Sequence, residues 1–440
     1  MPARLSMLFA LTAMTAMTAG CGSSSSDSAR TSTAGPKSAP KVSNAYALQY
    51  TGGQAGTANR QKSPVTIGYI NQQGAAPSFP EATVGMQAAA KYINNELGGV
   101  QGHPLRLESC FVQTEEDGQK CATQMVNDDS VKFVILGVVA VGNRSIYSVL
   151  SGRKPILSGN PSTADDFVAK DTVAYTSGTP GIIAGMATFA ATRLKAKNIT
   201  LLVADNAAGK NAAKQIFEPL AKALGVTKVE LAPVGDTATA PQVASAIQAA
   251  GGRTADTLVS FLPVPGCIAT YDALQSLGIK PKVLATGLCF GTPMTKHLQQ
   301  LGSKDQVPDG WYFAAFGYSY FQDEPADSGM PTYLAKIRQY GPKDVEYTGF
   351  AGYIFATLLT ADKLVTQVGV DKLSPATIRP ALANFKGPMM LTPGKMDCGF
   401  STALPVLCGS KVGIEQYAGG KWLPTALGAG AIDVRKALGG

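Results

Sequence analysis

Charge is scarce in this 440-residue chain. Its 38 Lys and Arg and 30 Asp and Glu make up 15% of the residues, against about 25% in an average soluble domain. Histidine and tryptophan occur twice each. With only His103 and His297 and no C-x-x-C, no zinc ligand set forms. No basic run carries interleaved aromatics, so the net charge of +8 leaves no nucleic-acid footprint. No apolar run reaches the ~20 residues of a membrane span; in the body the longest, 350–361 (FAGYIFATLLTA), reads as a buried helix. The 48 glycines follow no three-residue period, which excludes collagen. What remains is 45% apolar, enough for large cores. The length suggests two or three domains, because one core stops growing near ~250–300 residues.

The front of the chain reads as an address. Arg4 precedes an apolar run, Leu5 to Ala19, too short to span a bilayer but the length of a signal-peptide core. Thr18-Ala19-Gly20-Cys21 resembles a bacterial lipoprotein processing site, with lipid expected on Cys21; the alternative is an ordinary secretory signal with a chance cysteine. Residues 22–63 are rich in Ser, Ala, Gly, Thr and Pro and read, with Cys21, as a flexible tether over 21–63. An exported compartment permits disulfides. The six remaining cysteines allow 15 pairings, but they fall as near neighbours: Cys110 and Cys121, Cys267 and Cys289, Cys398 and Cys408.

From Pro64 onward, short β-rich runs such as VTIGYIN (65–71), KFVIL (132–136), NITLLVA (198–204) and TLVSFL (257–262) alternate with helical patterns of 10–15 residues. This rhythm predicts α/β architecture: parallel sheets covered on both faces. It restarts near residue 180, which predicts two doubly wound, Rossmann-like lobes. A strand over 311–316, three helical stretches (331–340, 347–368, 375–384) and a β segment over 388–418 close the body.

Catalytic signatures are missing. There is no G-x-G-x-x-G after a strand and no G-x-S-x-G elbow. LLVADNAAGKNAA (201–213) lacks the first glycine of a phosphate loop and has Asn211 where Ser or Thr would hold magnesium. A secreted hydrolase on a two-lobed scaffold therefore has no motif behind it.

The ordered series IGYIN, Gly85 and Asn94 in a helix, LGGVQGHPL (97–105), DSVKFVILG (129–137), LLVADNAAGK and YDALQSLGIKPKVLATG resembles the solute-binding proteins of branched-chain amino-acid ABC importers, the periplasmic binding protein type I family. The resemblance covers roughly 64–420. It implies two lobes joined by a three-crossing hinge near 177–180, 308–311 and 403. The expected lobes are 64–178 with 311–403, and 179–310 with 404–440. It also implies a small-molecule ligand held in the cleft by hinge closure, no cofactor, no enzyme activity, a monomer, and a membrane permease as partner. The same fold could serve a ligand sensor without transport. The family often carries a cystine where Cys110 and Cys121 stand.

Carried over position by position, the family's amino-acid site is altered. The aromatic of the first βα loop is kept as Phe79. The serine after the third strand is replaced, leaving Gly142 and Asn143; the next loop keeps Asn160 and Ser162. In the second lobe Asn206 begins the βα turn, the family's two aromatics fall at Ala208 and near Leu262-Pro263, and its carboxylate falls near Gly287-Leu288. No acid lies between Lys282 and Gln300. Burying a ligand ammonium without a counter-charge costs several kcal/mol, so a zwitterionic amino acid is not expected. The expected lining, completed by Leu288, Phe290 and Phe316, suits a larger, less polar carboxylate or amide. A shift of one or two residues in the correspondence would make Asp205 or Asp272 the missing charge.

Overall fold

A computed structural model describes residues 43–74, 78–235, 237–289, 291–315, 329–343, 349–392, 394–426 and 430–440. Cys21, Phe290 and Phe316 lie outside them.

The first sheet is parallel throughout. It comprises β1 (Val65–Gln72), β2 (Leu105–Val112), β3 (Val131–Leu136), β4 (Ile156–Ser158) and β5 (Thr172–Val173), in the order β2-β1-β3-β4-β5. All eight residues of β1 are buried, because helices cover both faces. Its helices are α2 (Pro80–Glu96), α3 (Glu115–Asn127), α4 (Asn143–Leu150) and the short α5 (Ala164–Phe167).

The second sheet begins after α6 (Gly178–Thr192). β6 (Asn198–Ala204), β7 (Lys228–Val234), β8 (Thr257–Ser260) and β9 (Lys282–Thr286) are parallel, and β10 (Tyr312–Ala315) joins β9 in the same sense. Between them run α7 (Ala207–Ala212), which passes through a π turn into α8 (Glu218–Ala223), then α9 (Ala240–Ala249), α10 (Val264–Leu277) and α11 (Thr292–Gln300). The chain then returns to the first sheet with α12 (Met330–Tyr340), α13 (Phe350–Val368) and α14 (Pro375–Ala383). It ends on the second sheet with β11 (Lys411–Ala418) and β12 (Lys421–Ala426), both antiparallel to their neighbours, and β13 (Ile432–Asp433). Two Rossmann-like lobes result. Three disulfides, 110–121, 267–289 and 398–408, pair the near neighbours.

Three expectations need correction. The segment 311–315 belongs to the second sheet, not the first, so the second crossing follows β10; the hydrophobic run alone did not reveal which sheet it would join. The expected β segment 388–418 is strand only from Lys411. Finally, the stretch 43–63 is no tether. It holds a helix, α1 (Ala45–Thr51), with Ala47 and Thr51 buried, and a strap tied to the first lobe by Gly56 N–H to Glu96 O, Ala58 N–H to Asn94 O and Asn59 N–H to Gly102 O.

The first and third crossings run side by side. Ala174 N–H donates to Val406 O (2.8 Å) and Cys408 N–H to Ala174 O (2.9 Å). In the first lobe, α2 crosses α13 with almost no gap: a Cβ built on Gly85 would stand 2.0 Å from the Ala351 carbonyl oxygen. Gly85→Ala must push these helices apart. We expect a loss of about 2–3 kcal/mol, read as a lower denaturation midpoint with an unchanged slope.

Candidate ligand cleft

A cavity of about 140 Å³ lies between the lobes. The first lobe contributes Asn160, Gly349 and Phe350. The second contributes Thr179, Ile182, Thr286, Gly287, Leu288, Ala314 and Ala315. These positions are the carboxyl ends of β4, β9 and β10 and the amino ends of α6 and α13. Such strand ends are where open α/β sheets bind ligands.

Asn160 follows β4 in a loop with little freedom. A Cβ on Gly159 would stand 2.4 Å from Ile354 Cδ1, and Asn160 N–H donates to Gly137 O. Downstream, buried Asp166 ties the loop down. Its carboxylate accepts from the N–H groups of Ser162 (2.7 Å) and Thr163 (2.6 Å), from Asn143 Nδ2 (2.7 Å) and from the Tyr147 hydroxyl (2.6 Å). Yet Asn160 Oδ1, on a residue only 8% exposed, has no hydrogen-bond partner among the described residues. Across the cavity, the hydroxyl of Thr286 is buried and equally without a partner. Buried polar atoms are rarely orphaned, so two that flank one cavity mark a place for a ligand's polar groups.

Apart from Thr179, the rest of the described wall is apolar or glycine. Phe350 is braced from behind by Phe79, edge to face at 5.6 Å between ring centroids. Leu288 sits in a short 3₁₀ turn, Gly287–Cys289, which the Cys267–Cys289 disulfide ties to α10. The amino end of α6 offers no spare N–H in its first turn: Gly178 donates to Thr176 Oγ1 and Thr179 to Pro161 O, and Pro180 has none.

Among the described residues, no lining residue is ionisable. The two alternative counter-charges are engaged elsewhere. Asp205 pairs with Lys210, and Asp272 with His297 at 2.8 Å. Among the described residues, Glu81 at the start of α2 brings a carboxylate towards the wall: its Oε1 would stand 3.7 Å from a Cβ on Gly349.

The cavity thus brings together Asn160 and Leu288, with Phe79 as second support. It excludes the other described candidates. Asn143 does not line the cavity: its Nδ2 serves Asp166 and the Val139 carbonyl, and its Oδ1 is buried. Gly142 packs against Gly118, where a Cβ would lie 2.9 Å from its Cα. Ser162 is absent from the lining; its N–H serves Asp166. Asn206 caps α7 through Gly209 N–H at 2.9 Å. Leu262 is core, at 1% exposure, and Pro263 is the exposed N-cap of α10. Thr179, Ile182, Thr286, Ala314 and Phe350 were not anticipated. Thr286 stood next to the marked pair Gly287-Leu288, but no local pattern shows that its hydroxyl turns inward.

The model of a family described as periplasmic binding protein matches residues 64–403. The chain belongs to that family. Solved structures with the same fold include a leucine-binding protein from Thermotoga maritima (15% identity, 84% of this chain and 99% of that one, TM-score 0.62). Another is an ABC-transporter solute-binding protein from R. palustris in complex with 4-hydroxybenzoate (18%, 84% and 96%, TM-score 0.64). A third is a branched-chain amino acid substrate-binding protein from Streptococcus pneumoniae in complex with isoleucine (15%, 84% and 100%, TM-score 0.62). No curated protein matches the chain. Like other periplasmic binding proteins it is two-lobed, and its lobes enclose the cavity described above.

Proposed function

We propose that this periplasmic binding protein is the extracytoplasmic, lipid-anchored receptor of an ABC importer, tethered through Cys21, and that it delivers its ligand to a membrane permease without catalysis. The lobes are taken as 43–178 with about 330–403, and 179–315 with 404–440. Capture is by closure about the three crossings, of which 174–178 and 404–409 are paired.

The observation that carries the ligand assignment is an uncharged wall with two orphaned polar atoms. A cavity of about 150 Å³ lined by apolar side chains accommodates benzene; this one is of that size. Asn160 Oδ1 needs a donor, and the Thr286 hydroxyl can give or take. The ligand is accordingly a ring-sized molecule without positive charge, with an O–H or N–H at one end and a carbonyl or hydroxyl at the other. Hydroxylated aromatics and neutral amides meet this description. A cavity of this size does not call for the larger ligand expected from the sequence. An ammonium would face no carboxylate among the described residues of the wall, and leaving it unpaired costs several kcal/mol.

The test is a thermal-shift panel on residues 43–440 with leucine, valine, 4-hydroxybenzoate, benzoate and benzamide. A compound at 100 times its Kd adds about 2.7 kcal/mol, roughly 3 °C for a chain of this size. We expect shifts with the aromatic hydroxyl or amide compounds, and their loss in Thr286→Val. A shift with leucine or valine alone overturns the assignment; Glu81→Gln then tests whether the counter-charge has moved to the first lobe.

A further inference from the structure

The second lobe carries a basic pole at its end farthest from the ligand. Arg193, Lys195 and Lys197 lead into β6, Arg253 precedes β8, and Lys280 and Lys282 enter β9; all six are exposed. The fold sets them side by side. Thr227 and Lys228 N–H donate to Lys197 O, and Lys282 N–H donates to Asp256 O. Lys197 Nζ reaches Gly225 O (3.0 Å) and Lys282 Nζ reaches Leu194 O (2.9 Å). None of the six has a carboxylate partner among the described residues. Asp256, the acid in their midst, turns Oδ2 to the N–H groups of Lys197 and Asn198. Lys222 and Lys228 add two charges, matched by Glu218 and Glu230. Eight cations against three carboxylates leave five of the chain's net +8 in one small area. At the β7 edge of this pole Leu224, 40% exposed, stands next to Gly225, whose carbonyl Lys197 reaches.

We infer that this pole is a docking surface for an anionic lipid bilayer. Surplus charge alone would suit any polyanion. A bare leucine among lysines is the added feature, because it gains only where an apolar layer lies beneath the anionic headgroups. The pole lies at the amino ends of β6 to β9, whereas Thr286 ends β9 at the opposite edge of the sheet, so docking leaves the cleft open. Each Lys or Arg near an anionic surface strengthens binding about fivefold, and the contact weakens as salt shortens the screening length. The inference builds on the extracytoplasmic location but not on the anchor at Cys21, since the surface lies wholly within 193–282.

The test is cosedimentation of residues 43–440, which lack Cys21, with vesicles of phosphatidylcholine alone or with one quarter phosphatidylglycerol, at 50 and 300 mM salt. Binding should be at least tenfold stronger with phosphatidylglycerol and should fall at high salt. The variant Lys195→Gln/Lys197→Gln/Arg253→Gln/Lys280→Gln should bind at least thirtyfold more weakly while melting like the parent. Leu224→Gln should weaken binding severalfold and leave the salt dependence unchanged. Equal binding by the quadruple variant, or no binding to phosphatidylglycerol at 50 mM salt, overturns the inference. Retention on polyphosphate without vesicle binding would also overturn it, in favour of a soluble polyanion. Failure here leaves the ligand panel untouched. The anchor is checked separately, by lipid labelling of the full chain and of Cys21→Ala.

Discussion

Asp362→Asn should stabilise this protein, and the gain should grow as the pH rises. Asp362 lies on α13 at 1% exposure, and neither carboxylate oxygen has a hydrogen-bond partner among the described residues. Burial pushes its carboxyl up to about 8, offset only in part by the nearby Thr366 hydroxyl. In the unfolded chain the same group titrates near 3.9. The folded state thus holds a proton that the unfolded state gives up. The stability is fully present below pH ~4, declines with rising pH, and is lost once the pH passes about 8. Four pH units at 1.36 kcal/mol each make the whole loss on the order of 5 kcal/mol. Asparagine is neutral at every pH and nearly isosteric. Wild type and variant should melt together near pH 4 and differ by roughly 6 °C at pH 9. The difference between the two curves isolates this group from Asp128 and Asp433, whose carboxyls are held low and whose stabilisation is lost on acidification instead. A pH-independent gap, or a variant less stable at pH 9, would show that Asp362 has found a partner or water.

The residues that escaped the sequence reading share a cause. β1 and α13 could be read because burial of a long apolar run is written along the chain. α1 could not, since two of its seven residues are buried and its hold comes from distant partners: the Tyr50 hydroxyl meets Thr360 Oγ1 at 2.8 Å and accepts from Met390 N–H at 3.1 Å. Asn143 had the right residue type in the right loop, but Asp166, 23 positions on, draws its amide away from the cleft. Phe350 was seen as core and not as wall, because nothing local shows that the amino end of α13 meets the second lobe. Asn160 and Leu288 line the cavity because strand ends place their following loops whatever the side chain. Position in the βα unit was legible; side-chain direction, settled across the lobes, was not.

Glu96→Ala should cost about 3–5 kcal/mol and release the strap at the front of the body. Glu96 ends α2 and collects four groups. Lys336 Nζ of α12 and Asn44 Nδ2 at the N-cap of α1 donate to Oε2 (2.5 and 2.9 Å). The Tyr340 hydroxyl and Gln339 Nε2 donate to Oε1 (2.7 and 3.1 Å). Burial alone would raise this carboxyl, but the bonds from Lys336, Tyr340 and Asn44 outweigh it and hold it below the usual range. Its stabilisation is therefore present above pH ~4.5 and lost as the pH falls through the lowered value. Lys336 is 6% exposed. Removing its partner strands a buried ammonium, which is the costly way to break an ion pair. Replacing both members, as Glu96→Gln with Lys336→Met, should recover most of the loss, because no unpaired charge remains. In Glu96→Ala Asn44 loses this anchor and keeps only the Tyr92 hydroxyl that donates to its Oδ1 (3.0 Å), whereas the amide oxygen of Glu96→Gln can still accept from Asn44 Nδ2. The strap carries Arg60 and Lys62, both exposed, so native-state trypsin cleavage there reads its release apart from global unfolding. Cleavage should quicken at least tenfold in Glu96→Ala and less in the double variant. A body begun at residue 64 lacks α1 altogether and should melt several degrees below one begun at residue 43. If Glu96→Ala melts within a degree of the parent and is cut no faster, the strap is held by the tyrosines of α1 and the Glu96 cluster is not its latch.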